Sequence, residues 1–346
     1  MPQHPKPITR RDFLRLTALG TLSLALPRTV LADRDDYESF DPPPKAFGRV
    51  IAWQQAVRSL PDPRAKIIAY ASRDEVIPLQ AQLPGVAPWP SNPTWYMTGG
   101  GPVPTGFVHS GYVQPVETTP NPEVVEQVDP PGFWAEVCLP FAAAKWSVEA
   151  PGAGRKLYYE TIYRVVNAAQ AQDGAWYYQL EQGITYNTPG LWVPASTMRR
   201  LSPEDLAPIS PGRTDKRMEV SISTETLTCF EGETPVFTTR TASGIYGLGT
   251  PLGEFTVLHK RFGWRMVGDD YDLPGVPFPV YITRSAVAIH GTYWHNDYGR
   301  RHSHGCLNVA SRDARWIYRW VDPVANYADG TTKAEPGKGT AVTVVA

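Results

Sequence analysis

From Gly48 onward the chain alternates short apolar runs with proline- and glycine-rich turns, a pattern that predicts strands far more than helices. One set of strand-sized runs reads GRVIAWQQAVRSLPDP, KIIAYASRDEVIPLQAQL, TWYMTGGG and GFVHSGYVQPVE. After Pro130 the same order of features returns in FWAEVCLPFAAAKWS, KLYYETIYRVVNAAQAQDGAWYYQL and LWVPASTMRRLS. Each set opens with a strand leading into a proline turn and continues with an alternating pair. Each then has an aromatic strand, marked by Trp95-Tyr96 and Trp176-Tyr177, and a closing strand. Two degenerate repeats are expected, at 48–120 and 130–203, each about 80 residues long.

A proline-rich linker, 204–215, leads to a third region, 216–346. MEVSIS, TLTCF and PVFTTRT are strand-sized, with Glu231-Gly232-Glu233 as the hairpin turn between the last two. Another strand is expected over Glu254–Lys260. YDLPGVPFPVYIT reads as a proline-stiffened loop leading to the strand SAVAIH. Ser311 is suited to cap a helix with Asp313 in its first turn, Trp316, Ile317, Trp320 and Val321 on one face, and Pro323 as its stop. The alternating TAVTVV closes the region. The fold class expected is mainly β: two tandem small modules followed by a β-rich domain with one notable helix.

Composition agrees, with 35 Pro and 29 Gly in 346 residues and few helix-favouring runs. The formal charge of -1 is biased by residues 1–32, where Lys6, Arg10, Arg11, Arg15 and Arg28 stand against Asp12. Without them 28 basic residues face 33 acidic ones. No basic stripe remains, which argues against nucleic-acid binding. Residues 1–32 have the form of a targeting segment: adjacent arginines, then an apolar stretch through Leu26 that breaks at Pro27. It is too short to span a bilayer of about 30 Å comfortably. A charged, proline-rich leader, 33–47, is expected to be mobile.

The chemistry concentrates in AIHGTYWHNDYGRRHSHGCLNV, 288–309, which holds His290, His295, His302, His304 and Cys306 out of seven histidines and three cysteines. Cys138 and Cys229 lie in apolar contexts and read as small buried hydrophobes. A cysteine attacks only as thiolate, and a neighbouring imidazole can take its proton and return it to a leaving amine. His290 ends one strand and Cys306 begins the next segment, so the two can meet across the loop. On extended backbone His304 and Cys306 project the same way. Gly305 lets backbone N–H groups approach a reacting carbonyl. The pattern fits acyl transfer through a thioester.

I-H-G followed by S-H-G-C-L-N resembles the signature of the L,D-transpeptidases, the YkuD-type catalytic domain. Gly249-Thr250-Pro251-Leu252-Gly253-Glu254-Phe255 is similar to that family's T-P-x-G-x-F stretch. The resemblance implies Cys306 as nucleophile, His290 as general base and acid, and the Gly291 carbonyl as the group orienting the imidazole. It implies an oxyanion site shaped by His304 and Gly305 with the Cys306 N–H. Ser303 and Asn308 would be scaffold hydrogen-bonders, and Trp294 a wall of the substrate groove. His295 and His302 are expected to be solvated bystanders. The substrate implied is a peptidoglycan stem peptide, with no metal or organic cofactor. The leading segment resembles a twin-arginine export signal, which would deliver the chain to the periplasm or wall, tethered to the membrane if uncleaved. Each repeat resembles the bacterial Src-homology-3-like barrel, and the repeats would either bind wall peptide or pack on the catalytic domain.

Other readings compete. Histidine and cysteine are zinc ligands, but His290/His295 and His302/His304/Cys306 comply only loosely with zinc spacing. Water in place of an amine acceptor would make an L,D-carboxypeptidase or a wall-protein amidase. NlpC-type wall peptidases place cysteine before histidine, the reverse of the order here. A non-catalytic wall-binding protein would not need the His290/Cys306 pair.

Overall fold

A computed structural model describes residues 45–152, 154–185 and 190–346. The targeting segment and nearly all of the leader, 1–44, lie outside the described residues. Among those described, no helix is long and apolar enough to cross a membrane.

The first unit runs β1 (Phe47–Val50), β2 (Gln54–Arg58), β3 (Ile67–Ser72), β4 (Val76–Pro84), β5 (Thr94–Thr98), β6 (Gly106–His109) and β7 (Val113–Val116). Its sheet order is β3-β2-β6-β5-β4-β1-β7. The second unit runs β8 (Phe133–Val137), β9 (Phe141–Ala144), β10 (Arg155–Tyr158), β11 (Ile162–Gln170), β12 (Trp176–Leu180), β13 (Trp192–Pro194) and β14 (Met198–Arg200). Its pairing repeats that of the first, strand for strand. β8 takes β11 and β14 as β1 takes β4 and β7, and β9 pairs β10 as β2 pairs β3. Neither unit closes into a barrel. In the first, β3 and β7 are left as sheet edges; in the second, the β9–β10 hairpin joins the rest only by the Lys145–Trp192 bridge.

The third unit begins with a meander of β15 (Lys216–Ser221), β16 (Thr226–Glu231) and β17 (Thr234–Arg240). Gly232 takes φ +61° in the β16–β17 turn, a conformation that favours glycine. The expected strand 254–260 is split. β18 (Gly253–Thr256) pairs with the last strand, β26 (Ala341–Val345), whereas β19 (His259–Arg261) belongs to a second sheet. That sheet is ordered β24-β23-β22-β19-β25, from β22 (Val280–Tyr281), β23 (Ala288–Gly291), β24 (Leu307–Val309) and β25 (Thr331–Lys333).

The proline-rich stretch expected as a loop instead forms β21 (Asp272–Pro277), paired with β20 (Gly263–Val267). A two-stranded ribbon leaves one side of β21 without ladder bonds, so Pro274 and Pro277 cost it little. The helix α1 (Ser311–Trp320) is the one α-helix among the described residues. Its N-cap is Ala310, with no side-chain cap; Ser311 is already helical, and its hydroxyl donates to the carbonyl of Thr292 at 3.3 Å.

The second and third units share one hydrophobic core, in which Trp134 lies 5.2 Å from Phe262 between ring centroids. Gly330, at φ +66°, lies so close that a Cβ would come within 2.0 Å of the Trp134 ring. The 204–215 linker is packed rather than free: Leu206 is buried, and Asp205 takes Arg199 at 3.4 Å. The first unit has its own core around Val50, Val57, Ile77 and Val108. Cys229 is fully buried, whereas Cys138 is half-buried with its thiol 3.8 Å from the Ser196 carbonyl.

Candidate active site

β23 and β24 lie side by side in parallel, with Ile289 opposite Leu307, His290 opposite Asn308 and Gly291 opposite Val309. Carried back, that register sets Cys306 beside Ala288, whose backbone hydrogen-bonds the thiol. Cys306 itself lies in the bend just before β24, and the Ala288 bond brings its thiol to the start of the strand that ends in His290 and Gly291. The thiol also lies 3.9 Å from the Ala286 carbonyl. Tyr271 and Tyr281 are within its electrostatic reach.

His290 is 2% exposed, and its Nδ1 lies 2.9 Å from the carbonyl oxygen of Gly291. A carbonyl only accepts, so the proton sits on Nδ1 and Nε2 keeps its lone pair, the tautomer a general base requires. Burial lowers this imidazole to about 4, against a smaller raising effect of the Gly291 bond. Burial raises the Cys306 thiol. Both groups are therefore neutral at rest, one a thiol and the other a free base.

Residues 215–344 match the family model YkuD, the L,D-transpeptidase catalytic domain. Among solved structures the chain is similar to an Enterococcus faecium L,D-transpeptidase at 24% identity over 38% of this chain and 50% of that one, with a TM-score of 0.31. It is similar to an L,D-transpeptidase from Mycobacterium smegmatis at 18% identity over 52% and 98%, TM-score 0.32. L,D-transpeptidase 3 from Mycobacterium tuberculosis, in complex with a faropenem-derived adduct, is similar at 21% over 46% and 74%, TM-score 0.31. The chain thus spans half the length of the enterococcal protein. No curated protein matches.

The turn that carries Cys306 is held by hydroxyls. Ser303 Oγ donates to the Cys306 carbonyl and accepts from Gly305 N at 3.1 Å. Thr250 Oγ1 donates to the Gly305 carbonyl and accepts from Gly244 N, both at 2.9 Å. Thr250 is the threonine of the T-P-x-G-x-F stretch, to which the sequence attached no task. Glu225 supports the neighbouring segment, its carboxylate accepting from Ser243 N at 2.7 Å and from Ser243 Oγ at 2.5 Å.

Two expected members of the site stand elsewhere. The segment 303–306 is bent, and Gly305 takes φ +121°, so His304 and Cys306 do not project together. His304 turns outward, its Nε2 3.2 Å from Asp270 and its ring 5.2 Å from Tyr271. The Gly305 N–H is committed to Ser303, so this glycine supplies the bend rather than an oxyanion donor. Trp294 is half-buried, with its ring 5.9 Å from His290.

His295 and His302 are not solvated bystanders. His295 is 5% exposed and its Nε2 accepts from Asn308 Nδ2 at 2.7 Å, while its Nδ1 lies 2.8 Å from Asp297. His302 donates to the same carboxylate at 3.1 Å, and Arg300 Nε at 2.7 Å. His295 and His302 hold the buried Asp297 far below the usual carboxylate range despite its desolvation. His295, Asp297 and His302 bring three ligating atoms within 4.8 Å of one another. The two rings, however, stack 4.0 Å apart at 17°, so their nitrogen lone pairs run side by side rather than converging on one point. That geometry suits a carboxylate bridging two imidazoles. The zinc set suggested by spacing does not assemble, because His304 faces Asp270 and His290 Nδ1 faces Gly291. The sequence offered no signal for Asp297 beyond its place in the histidine-rich loop.

Proposed function

We propose that this chain is an exported, cysteine-dependent L,D-transpeptidase acting on peptidoglycan tetrapeptide stems. The observation that carries the reading is the parallel pairing of β23 with β24, which sets Leu307, next to Cys306, opposite Ile289, next to His290, whose Nε2 is unprotonated. The YkuD match over 215–344 supports the reaction class. Arg10-Arg11 and the apolar stretch after them support twin-arginine export.

In this reading Cys306 attacks the carbonyl between the diamino acid and the terminal D-alanine. The thiol proton passes to His290 Nε2 as the C–S bond forms, since the resting pair is neutral. Backbone N–H groups of the turn at His304 and Cys306 are assigned to the developing oxyanion in this reading. His290 returns the proton to the departing amine, D-alanine leaves, and a thioester remains. A side-chain amine of a neighbouring stem then attacks the thioester, its proton passes through His290 to the thiolate, and a crosslink forms. The Gly291 carbonyl stabilises the imidazolium in both halves, in the place of a triad's third member. Src-homology-3-like ancestry is the reading for the two repeats, resting on their shared strand pairing.

Incubating the mature protein with disaccharide-tetrapeptides and weighing the products tests this. Crosslinked dimers are expected, along with a protein adduct that Cys306→Ala abolishes. Tripeptides without dimers would assign an L,D-carboxypeptidase, and neither product from folded protein would overturn the reading.

A further inference from the structure

The loop from Thr292 to His302 joins the strand of His290 to the turn of Cys306, and the first unit covers its outer side. Asn296 gives both hydrogens of its amide to that unit, to the carbonyls of Ser110 at 3.0 Å and Val113 at 3.1 Å. Ser91 Oγ donates to the Gly299 carbonyl at 2.5 Å, and Trp89 Nε1 to that of Tyr298 at 3.4 Å. The Arg300 guanidinium sits 4.4 Å over the Trp89 ring. Gly299 has φ +94°, and a Cβ there would meet the Ser91 hydroxyl at 2.1 Å, so loop and unit are fitted closely. Arg49, 1% exposed, reaches across from β1. It bonds Asp74 at 3.0 Å and Gln114 at 2.8 Å, lies 4.4 Å over the Tyr158 ring of the second unit, and donates to the Tyr293 carbonyl.

Five residues of one short loop are thus gripped by side chains and carbonyls from about 180–245 positions away in sequence. Ordering a loop residue costs roughly 1–2 kcal/mol in backbone entropy, which the contacts within the loop around Asp297 and those from the first unit offset together. We propose that the first unit is the scaffold that positions the His290–Cys306 pair, acting through Asn296 as a positioning residue. The inference rests on the transpeptidase reading only for its catalytic readout. Its primary readout, the reactivity of Cys306, needs no wall substrate.

The test follows alkylation of Cys306 by iodoacetamide across the pH range, with the site located by peptide mass. It compares wild type, Asn296→Ala, Asn296→Asp and Ser91→Ala, with kcat and KM on tetrapeptide measured alongside. Asn296→Ala should lower kcat about tenfold with KM nearly unchanged, and move the inflection of the alkylation profile. Asn296→Asp should do more, because its carboxylate would face two carbonyl oxygens. Ser91→Ala should move both readouts the same way by a smaller factor. Profiles and kcat superimposable on wild type would overturn the proposal. Should the Asn296 variants fail to fold, Ser91→Ala decides alone, and an unshifted profile overturns it. Wild type that makes no dimers, yet whose alkylation responds to Asn296, would sink the function reading and leave this inference standing.

Discussion

Asn308 donates to Nε2 of His295 at 2.7 Å, tying the strand after Cys306 to the loop after His290. Burial keeps His295 neutral, down at about 4, so its single proton is on Nδ1 and faces Asp297. Asp297→Ala would remove the carboxylate beside that buried N–H and release His302 and Arg300 as well. A loss of about 1–3 kcal/mol in denaturant-measured stability is expected, with Asp297→Asn losing less. An unchanged midpoint for the alanine variant would mean that the carboxylate holds nothing.

Thr250 offers a cleaner substitution. Thr250→Val keeps the shape and removes the hydroxyl that bridges Gly244 N and the Gly305 carbonyl. The nucleophile turn would lose its outer tie, and kcat should fall by about tenfold or more with a smaller change in KM. Thr250→Ser, which keeps the oxygen, should recover most of the rate. Equal rates for the valine and serine variants would rule the hydroxyl out.

His304 separates a reacting imidazole from a peripheral one. Its side chain is exposed and pairs with an exposed Asp270, an arrangement worth about 0–1 kcal/mol at most. His304→Ala should therefore cost less than tenfold in kcat, whereas His290→Ala should cost about 10²–10⁴-fold. A His304 loss as large as that of His290 would return this ring to the reaction centre.

The strand-rich pattern and the 288–309 motif were legible because each is local. Alternation marked the meander from Lys216, and the apolar face of residues 316–321 marked α1. What failed depended on backbone angles or on distant partners. His304 was set beside Cys306 on an assumption of extended chain, which the φ of Gly305 breaks. His295 looked solvated because its buried partners, Asn308 and Asp297, meet it only once the loop folds inward. The ribbon β20–β21 was hidden by prolines that an unpaired edge tolerates. Between wall-peptide binding and packing on the third unit the repeats offered no choice, since the shared core depends on distant pairs such as Trp134 with Phe262.

Acid should destabilise the fold in a defined window. His109, His290 and His295 are each pushed down to about 4, burial being the largest cause for all three. Unfolded histidine protonates near 6.5, so between about pH 6.5 and 4 the unfolded chain binds more protons. Stability is fully present above that window and is lost as pH falls through it, by up to about 1.4 kcal/mol per pH unit for each imidazole. Glu160, pushed up to about 7 by burial, works the other way: the folded state keeps its proton between about 4.3 and 7, which adds stability as pH falls. Asp313, raised by burial, acts with Glu160, and His259, lowered by burial, acts with the other imidazoles; four imidazoles outweigh two carboxyls, so urea midpoints should drop from about pH 6.5 towards 4.5. His109→Gln, a change remote from the thiol, should flatten that slope by one imidazole's share. A wild-type midpoint that stays level through the window would show that these buried rings take up protons without cost.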